Sequence, residues 1–195
     1  MHLVPRPREF NEETALDKAL ALFWSRGYAA TNMDDLHREM QLSRSSFYLA
    51  FGSKHDLFLR CVDRYTAKVG AALQPHVKEN TTALTRVDRL LRTVLAVTGP
   101  QGCFLGNTSL ELGARDATVR KHVAAGLAAV EDIFARVLRD GVDAGELDAK
   151  PAAAARLLTS NLQGILVMAK AGIPPAALNT LRDAALRSLN WREPQ

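Results

Sequence analysis

Apolar residues recur at spacings of three and four along most of the chain, which is the pattern of amphipathic helices. The first such stripe consists of Leu16, Ala19, Leu20 and Phe23. Asn11 precedes this stripe as a predicted N-cap, and Gly27 follows it as a predicted stop. Strand signals are weak, because no sustained alternation of apolar and polar residues is found. The pattern therefore predicts an all-α fold.

Cap and breaker residues divide the rest of the chain into further predicted helices. Their predicted ends lie near Met40, Leu49, Leu73, Gly99, Gly113, Gly145, Gly172 and Trp191. Ser43 and Asp116 are predicted N-caps, and Pro151 is predicted at the first position of its helix. The fourth helix is expected to end before Pro75, because a proline inside a helix costs about 3 kcal/mol.

The region 31–50 predicts two short helices joined by a tight turn, which is the arrangement of a helix-turn-helix. Its apolar positions are Met33, Leu36, Met40, Leu42 and Phe47. The second helix of such a motif enters the major groove, and its N-terminal residues, here Arg44, Ser45 and Ser46, reach base edges. Arginine can pair with O6 and N7 of guanine, and serine with several base edges. A double-stranded DNA operator is therefore the predicted partner.

Composition narrows the class of protein without identifying a partner. The 195 residues are 47% hydrophobic and 24% charged, which is typical of a globular chain with one domain and an appendage or two small domains. The net charge of +4 indicates an anionic partner only weakly. The first third of the chain is nearly balanced in charge, so DNA contacts must come from locally placed cations.

Several kinds of site find no support in the sequence. Cys61 and Cys103 form no CxxC, and the five histidines form no HExxH motif, so neither a disulfide framework nor a metal site is predicted. No cofactor is predicted, and no GxSxG motif or P-loop indicates an enzyme. A thiol enzyme would need Cys103 and His122 to meet as a thiol–base pair. Cys61 is expected in the core.

Membrane and export signals are also missing. The uncharged stretch 157–169 is shorter than the about 20 residues that a membrane-spanning helix needs. The first residues lack the apolar segment of a secretory signal. The chain is therefore expected to be cytoplasmic and to have no membrane partner.

The run from Ala15 to Phe58 resembles the TetR family of transcriptional regulators. The positions that carry the resemblance are Ala19, Phe23, Gly27-Tyr28, Thr31, Met33, Leu36, Phe47-Tyr48, Phe51-Gly52-Ser53-Lys54 and Leu57-Phe58. The resemblance implies an all-helical homodimer in which residues 1–53 bind DNA and residues 54–195 bind a ligand and dimerise. It also implies a repressor that a small-molecule inducer releases from a palindromic operator.

The resemblance also implies roles for single residues, carried over by position. The implied base-reading residues are Arg44, Ser45 and Ser46. The implied phosphate contacts are Thr31, Tyr48 and Lys54. Ala50 stands where the family often has His or Arg, so this contact is expected to be missing.

Some of these positions have simpler interpretations. Tyr48 can be a packing aromatic, but neighbouring Phe47 is expected to face inward, which favours an outward Tyr48. Lys54 can be an ordinary solvated lysine, but a cation at a helix N-terminus opposes the helix dipole, which favours a phosphate partner. Arg6 and Arg8 can form a minor-groove arm or simply a flexible terminus.

A second candidate site lies at the start of the sixth predicted helix. Cys103 is expected at its N-terminus, where N–H groups without helical partners favour a thiolate. Asn107 and Glu111 give the same helix a polar face that a ligand can use. Phe104 and Met168 complete the predicted ligand residues, with a place in the core or an interface as the alternative for Met168.

This segment resembles a subset of TetR-family regulators in which the helix begins with Gly-Cys, here Gly102-Cys103. In some of that subset the cysteine senses electrophiles or oxidants, so the resemblance implies that Cys103 is a sensor. The alternative is a small buried thiol, since free cysteine is among the most buried residue types.

A homodimer held by the last two long helices is predicted from two apolar stripes. The stripes are Ala155, Leu158, Leu162, Ile165 and Ala169, followed by Leu178, Leu181, Ala185 and Leu189. Two such helices from each chain can make a four-helix bundle. The alternative is that both stripes pack within one chain. For the function, the remaining alternative is a helical adaptor without a DNA role.

Overall fold

A computed structural model of the protein describes residues 10–192, and in this range the regular elements are helices. They are α1 (Glu12–Arg26), α2 (Met33–Met40), α3 (Arg44–Phe51), α4 (Lys54–Val77), α5 (Ala83–Thr98), α6 (Phe104–Leu112), α7 (Ala117–Asp143), α8 (Pro151–Lys170) and α9 (Pro175–Arg187). The all-α prediction is confirmed. Arg6 and Arg8, which the sequence offers as a minor-groove arm, lie outside the described residues.

The helices divide into two compact units, and the division falls between Arg64 and Tyr65, inside α4. The sequence places the boundary at 53/54 instead, before α4 begins. The difference arises because the first turns of α4 belong to the N-terminal core. Phe58 packs edge-on against Phe23 of α1, with their ring centroids 5.0 Å apart, and Arg64 donates to Asp17 of α1 at 2.9 Å.

The helix-turn-helix of the N-terminal unit is built by caps and one tight turn. Asn32 caps α2 by accepting from the Asp35 backbone N–H at 2.8 Å, and Ser43 caps α3 by accepting from that of Ser46 at 3.2 Å. Between the two helices Gln41 has φ 58°, a left-handed conformation that ends α2 and turns the chain into α3. Phe47 is buried beneath α2, where it packs edge-on against the ring of His37 at 5.2 Å.

Two predicted helix ends are wrong. The helix α4 continues through Pro75 to Val77, since the proline removes one N–H donor while His76 and Val77 after it keep theirs. The helix α9 ends at Arg187 rather than near Trp191. Trp191 instead forms a bridge with Leu147, and its ring N–H donates to the Leu186 carbonyl at 2.9 Å.

The C-terminal unit is held together by apolar contacts and by two buried arginines. Its core contains fully buried Phe104, Phe134, Leu90 and Leu138, among others. Arg86 of α5 donates to Asp140 of α7 at 2.9 Å and also to the Val77 carbonyl at 2.8 Å, which caps the end of α4. Arg182 of α9 is paired with Asp88 of α5 at 3.2 Å. These pairs fix α5 against its neighbours.

The predicted dimer stripe of α8 is wrong, because this stripe is buried within the chain. Ala155, Leu158, Leu162 and Ile165 are all in the core of the C-terminal unit. On α9, Ala185 and Leu189 are buried in the same way, while Leu181 is partly exposed. On α8 the exposed large apolar residues are Leu157, Val167 and Met168, which lie outside the predicted stripe, so that Leu181 of α9 is the one stripe residue among the exposed apolar residues of these two helices in the described part of the chain.

Residues 10–192 contain neither a membrane-spanning helix nor a metal-binding cluster. None of their helices combines the length and the apolar character needed to cross a membrane. Within 10–192, no cluster of three or more His, Cys, Asp or Glu side chains is suited to hold a metal ion.

Candidate functional site

The first candidate site is the outward-facing side of α3. Ser43, Ser45 and Ser46 form a cluster of hydroxyl groups at the start of this helix. The Ser43 Oγ lies 3.0 Å from the Ser45 Oγ and donates to the Ser46 Oγ at 2.9 Å. The cluster lies at an exposed helix N-terminus, and such N-termini attract anions.

Arg44 lies at the first position of α3 with a largely exposed side chain, and it contacts Asp34 of α2. Its guanidinium is 3.4 Å from the Asp34 carboxylate, and both side chains are exposed to solvent. Such surface pairs contribute about 0–1 kcal/mol, so the contact can be exchanged for a stronger partner. No sequence signal indicates Asp34 as the partner, because the pair depends on how α2 and α3 cross and not on sequence spacing.

Tyr48 points outward, as expected from the inward position of Phe47. Tyr48 is 54% exposed, while Phe47 and Phe51 are buried. Leu49, which the sequence analysis did not single out, is 87% exposed on the same helix. The exposed side of α3 therefore consists of Arg44, Ser45, Tyr48 and Leu49, called below the α3 outer face.

Lys54 lies at the first position of α4 and is held by an aromatic ring. Its Nζ is 4.2 Å from the centroid of the Tyr28 ring, a cation–π contact. Tyr28 in turn packs edge-on against Phe58 at 4.9 Å, which fixes the ring. The sequence signal for Tyr28 was its place after Gly27 in the resemblance, but nothing there indicated a contact with Lys54.

Thr31 is placed differently from the other predicted phosphate contacts. It is fully buried, and its Oγ1 donates to the Gly27 carbonyl at 2.7 Å. This hydrogen bond closes the connection between α1 and α2. The hydroxyl is therefore not available to a phosphate, and the predicted contact through this side chain is not supported.

Ion pairs join α1 and α2, the two helices that precede α3 in the N-terminal unit. Asp35 of α2 accepts from Arg38 and, at 3.0 Å, from Arg26 of α1. Burial raises the pKa of Asp35, but the hydrogen bond from Arg38 and the charges of both arginines outweigh it and hold the pKa below its usual value. Asp35 is therefore a carboxylate that ties α2 to α1.

The second candidate site surrounds Cys103, which is the N-cap of α6. Its Sγ accepts from the Gly106 backbone N–H at 3.4 Å and from the Tyr65 hydroxyl at 3.7 Å. The residue is only 7% exposed. Burial raises the pKa of Tyr65, and the adjacent sulfur raises it further, so the hydroxyl keeps its proton and acts as the donor.

Gly102 explains the Gly-Cys start of this helix. Its φ is 70°, and a Cβ at this position would lie 3.1 Å from the Leu166 carbonyl oxygen and 3.3 Å from the Cβ of Lys170. A glycine is therefore required both by the backbone conformation and by the close approach of α8. Because Gly102 packs closely on α8, the neighbouring Cys103 is buried in the core of the C-terminal unit.

The other predicted ligand residues are only partly brought together. Phe104 is buried beside Cys103, with its ring 5.7 Å from that of Tyr65. Asn107 donates to the Gln101 carbonyl at 3.1 Å and accepts from Lys170 at 2.9 Å, which is a structural role. Glu111 is half-buried further along α6.

Met168 is not part of the Cys103 site. It lines a different pocket of about 360 Å³ between α8 and α9, with Gly164, Leu181 and Ala184 among the other lining residues. This pocket opens on the exposed apolar side of the two helices. We define the α8–α9 face by its exposed residues Leu157, Gly164, Val167, Met168, Leu181 and Ala184.

Cys61 lies in the core of the N-terminal unit, as expected. It is fully buried, and its thiol approaches the Leu16 carbonyl at 3.9 Å. Burial raises the pKa of this thiol far above its usual value. Cys61 is therefore an unreactive thiol, and it provides a natural control for Cys103.

Comparison with known proteins identifies two family domains. Residues 15–61 match the domain described as bacterial regulatory proteins, tetR family. Residues 83–185 match the tetracyclin repressor-like C-terminal domain. The first match contains the α3 outer face, and the second contains Cys103 and the whole α8–α9 face.

Individual relatives agree with the domain matches. The chain is 27% identical to the uncharacterized HTH-type transcriptional regulator YezE of Bacillus subtilis, over 85% of this chain and 89% of that one. It is 34% identical to the transcriptional repressor ComR of Escherichia coli over 55% of this chain and 53% of ComR.

A solved structure of the regulator CifR, a cysteine mutant complexed with 26-bp operator DNA, matches with a TM-score of 0.84. This match has 30% identity and covers 94% of this chain and 99% of that one. The matched proteins are regulators of transcription and not enzymes, which contradicts the thiol-enzyme alternative. The chain belongs to the TetR family of bacterial transcriptional regulators.

Proposed function

We propose that this protein is a repressor that binds a palindromic operator as a homodimer and is released by a small molecule, in particular a thiol-reactive one. The observation that carries the DNA-binding part is the α3 outer face, a set of exposed side chains on the second helix of a helix-turn-helix. The operator complex of CifR, at 30% identity, supports the same assignment.

In the proposed complex, different residues supply specificity and general affinity. Arg44 leaves Asp34 and pairs with a guanine edge, while Ser45 and Ser46 contact neighbouring base edges. Tyr48 and Lys54 contact phosphates, which position the helix but carry no sequence information. Thr31 is left out of this set because its hydroxyl is bonded within the chain.

The proposed homodimer forms through the α8–α9 face. Leu157, Gly164 and Val167 recur on α8 at spacings of seven and three, which is the pattern of a helix that packs along another helix. Leu181 adds an exposed apolar side chain on α9. Two helices from each copy form a four-helix bundle, and side chains of one copy fill the pocket of the other. A dimer matches the two-fold symmetry of a palindromic operator.

The proposed ligand response belongs to the C-terminal unit and acts at Cys103. Its sulfur lies at a helix N-terminus, where the backbone N–H of Gly106 points at it. With an alkyl halide, the sulfur forms a bond to carbon, the halide leaves with the bonding electrons, and the thiol proton goes to the buffer. The new group does not fit beside Tyr65 in a packed site, so α4 or α6 must move.

Operator binding before and after alkylation tests this proposal. Purified protein is treated with iodoacetamide, and its affinity for a palindromic operator taken from upstream of its own gene is measured. Wild type is expected to lose at least about tenfold in affinity, which corresponds to about 1.4 kcal/mol. Cys103→Ser is expected to bind the operator and to be unaffected by the reagent.

Cys61→Ala is the matched control, since it removes the other thiol and should respond as wild type does. Equal responses of wild type and Cys103→Ser would rule out the thiol sensor while leaving the DNA-binding assignment intact. Absence of operator binding by the untreated wild type would rule out the repressor itself.

A further inference from the structure

We infer that Leu49 reads the methyl group of a thymine in the operator and is a specificity-determining residue of the α3 outer face. This inference rests on the proposed function, because it requires that α3 enters the major groove. It adds an apolar contact to a site in which the residues assigned so far are polar.

The first observation is the exposure of Leu49. Leu49 is 87% exposed, which is close to the 84% of Leu110 of α6 and more than the 54% of Tyr48 beside it. Scattered exposed leucines are ordinary on protein surfaces. Leu49 is different because it lies on the helix that the motif presents to DNA.

The second observation is the direction in which Leu49 points. At about 100° per residue, it lies roughly 160° around the helix from both Phe47 and Phe51. These two phenylalanines are buried against the rest of the N-terminal unit. Leu49 therefore lies at the middle of the side of α3 that faces away from the core. Ser45, one turn earlier, lies on the same side.

The chemistry of the major groove identifies the contact. Base edges there present hydrogen-bond donors and acceptors, and the apolar group among them is the C5-methyl of thymine. A leucine has no polar atom with which to satisfy a donor or acceptor, so facing the other edges would leave these groups without water or a partner. Leu49 is therefore expected to favour thymine over the other bases at one position of each half-site.

The choice of a thymine methyl over the DNA backbone follows from the position of the residue. Phosphate contacts are made by charged and hydrogen-bonding groups. In this unit Tyr48 offers such a group next to Leu49 on the α3 outer face, and Lys54 offers one at the start of α4, whereas Leu49 lies at the middle of the exposed side of α3. A contact of Leu49 with sugar or phosphate would produce no preference between bases, so the two possibilities are separable.

The experiment replaces thymine by deoxyuridine, which removes only the methyl group. A duplex is selected by the wild-type full chain from a randomised library, and each thymine of both half-sites is replaced in turn. Wild type is expected to bind one of these substituted duplexes about fourfold more weakly per half-site, the ratio for loss of one buried methyl-sized group. Leu49→Ala is expected to bind the thymine and deoxyuridine duplexes equally.

Two control variants accompany this measurement. Leu49→Met keeps an apolar side chain of similar volume and should keep the preference for thymine. Leu110→Ala removes an equally exposed leucine from the other unit and should behave as wild type does.

Every other outcome overturns the inference, and each one indicates a different reason. If wild type binds its selected duplex but no deoxyuridine substitution matters, or if Leu49→Ala keeps the wild-type loss, Leu49 does not read a thymine methyl. If Leu49→Ala weakens binding to all duplexes alike, the contact is with the DNA backbone. Failure of wild type to select any duplex would instead contradict the proposed function.

Discussion

The two units differ in how their exposed residues relate to the residues that the sequence singled out. In the N-terminal unit, Arg44, Ser45 and Tyr48 lie together on the exposed side of one helix. In the C-terminal unit, Cys103 and Phe104 are buried, while Met168 lies in a different pocket. A site on one short helix is determined by local spacing, whereas a site between several helices is determined by their packing.

Exposed apolar side chains also have different meanings in the two units. On α3 a single leucine, Leu49, is exposed among polar residues, which suits a contact with one small group on a base edge. On α8 and α9 several apolar side chains are exposed together, which suits a protein interface. The number and spacing of exposed apolar residues thus differ between the proposed base contact of Leu49 and the proposed dimer surface of α8 and α9.

The largest expected effect distinguishes the buried stripe of α8 from its exposed face. Leu162 is buried in the core, so Leu162→Ala should lower the free energy of unfolding by about 2–5 kcal/mol. Urea unfolding followed by circular dichroism, with all variants at the same chain concentration, measures this change. The periodicity of the sequence alone predicts Leu162 in a dimer interface, where its loss would mainly dissociate a dimer.

Val167 provides the matched variant on the exposed face of the same helix. Wild type is expected to be the proposed dimer at micromolar concentration, and Val167→Glu is expected to be a monomer, because the variant buries a charge in the proposed bundle. Analytical ultracentrifugation measures both states. The helix content of the variant should stay unchanged. A Leu162→Ala variant that dissociates with unchanged stability, or a Val167→Glu variant that stays dimeric, would reverse the assignment of the two sides of α8.

The second prediction distinguishes two kinds of DNA contact within the N-terminal unit. Arg44→Ala should lower the preference for operator over unrelated DNA by about 1–3 kcal/mol, since it removes a base contact. Lys54→Ala should weaken binding to both kinds of DNA alike and reduce the salt dependence of binding by about one unit. Fluorescence anisotropy titrations over a range of salt concentrations measure both quantities. Unchanged operator affinity in both variants would exclude the α3 outer face as the DNA site.

Some features of the fold could be predicted from the sequence, and others could not. The caps Asn11 and Ser43 act within three residues, so local pattern was sufficient to find them. The stripe containing Leu162 was also recognised, but periodicity indicates only that a side is apolar and not what covers it. The contact of α8 with α7 is visible only in the three-dimensional structure.

The polar contacts within the two candidate sites also could not be predicted from local sequence patterns. Lys54 lies over Tyr28, and Cys103 accepts from Tyr65, although each pair is far apart in sequence. Neither contact has a fixed spacing that a motif could reveal. The end of α9 was missed for a related reason, because Trp191 leaves the helix to pair with Leu147.

The third prediction concerns Tyr28 as a positioning residue for Lys54. Tyr28→Leu should weaken DNA binding by about 0.5–1 kcal/mol, because the ring that holds the ammonium group is lost. Tyr28→Phe keeps the ring and should bind nearly as wild type does. The Tyr28→Leu, Lys54→Ala double variant tests positioning specifically. If Tyr28 acts only through Lys54, this double variant should bind DNA no more weakly than Lys54→Ala alone. Additive losses would mean that Tyr28 acts through folding of the unit.

The smallest expected effect concerns Asp34, the partner of Arg44 in the absence of DNA. Asp34→Asn removes a negative charge next to the surface that approaches DNA and frees Arg44 from an ion pair. Both side chains are exposed, so the pair is worth at most about 1 kcal/mol. The variant should therefore bind operator and unrelated DNA slightly more tightly, by less than about fivefold, with unchanged preference between them. Competition titrations at low salt, where surface charges are least screened, measure the change with the greatest sensitivity. A selective loss of operator affinity would instead show that Asp34 orients Arg44 for its guanine contact, and specificity would then depend on α2 as well as on α3.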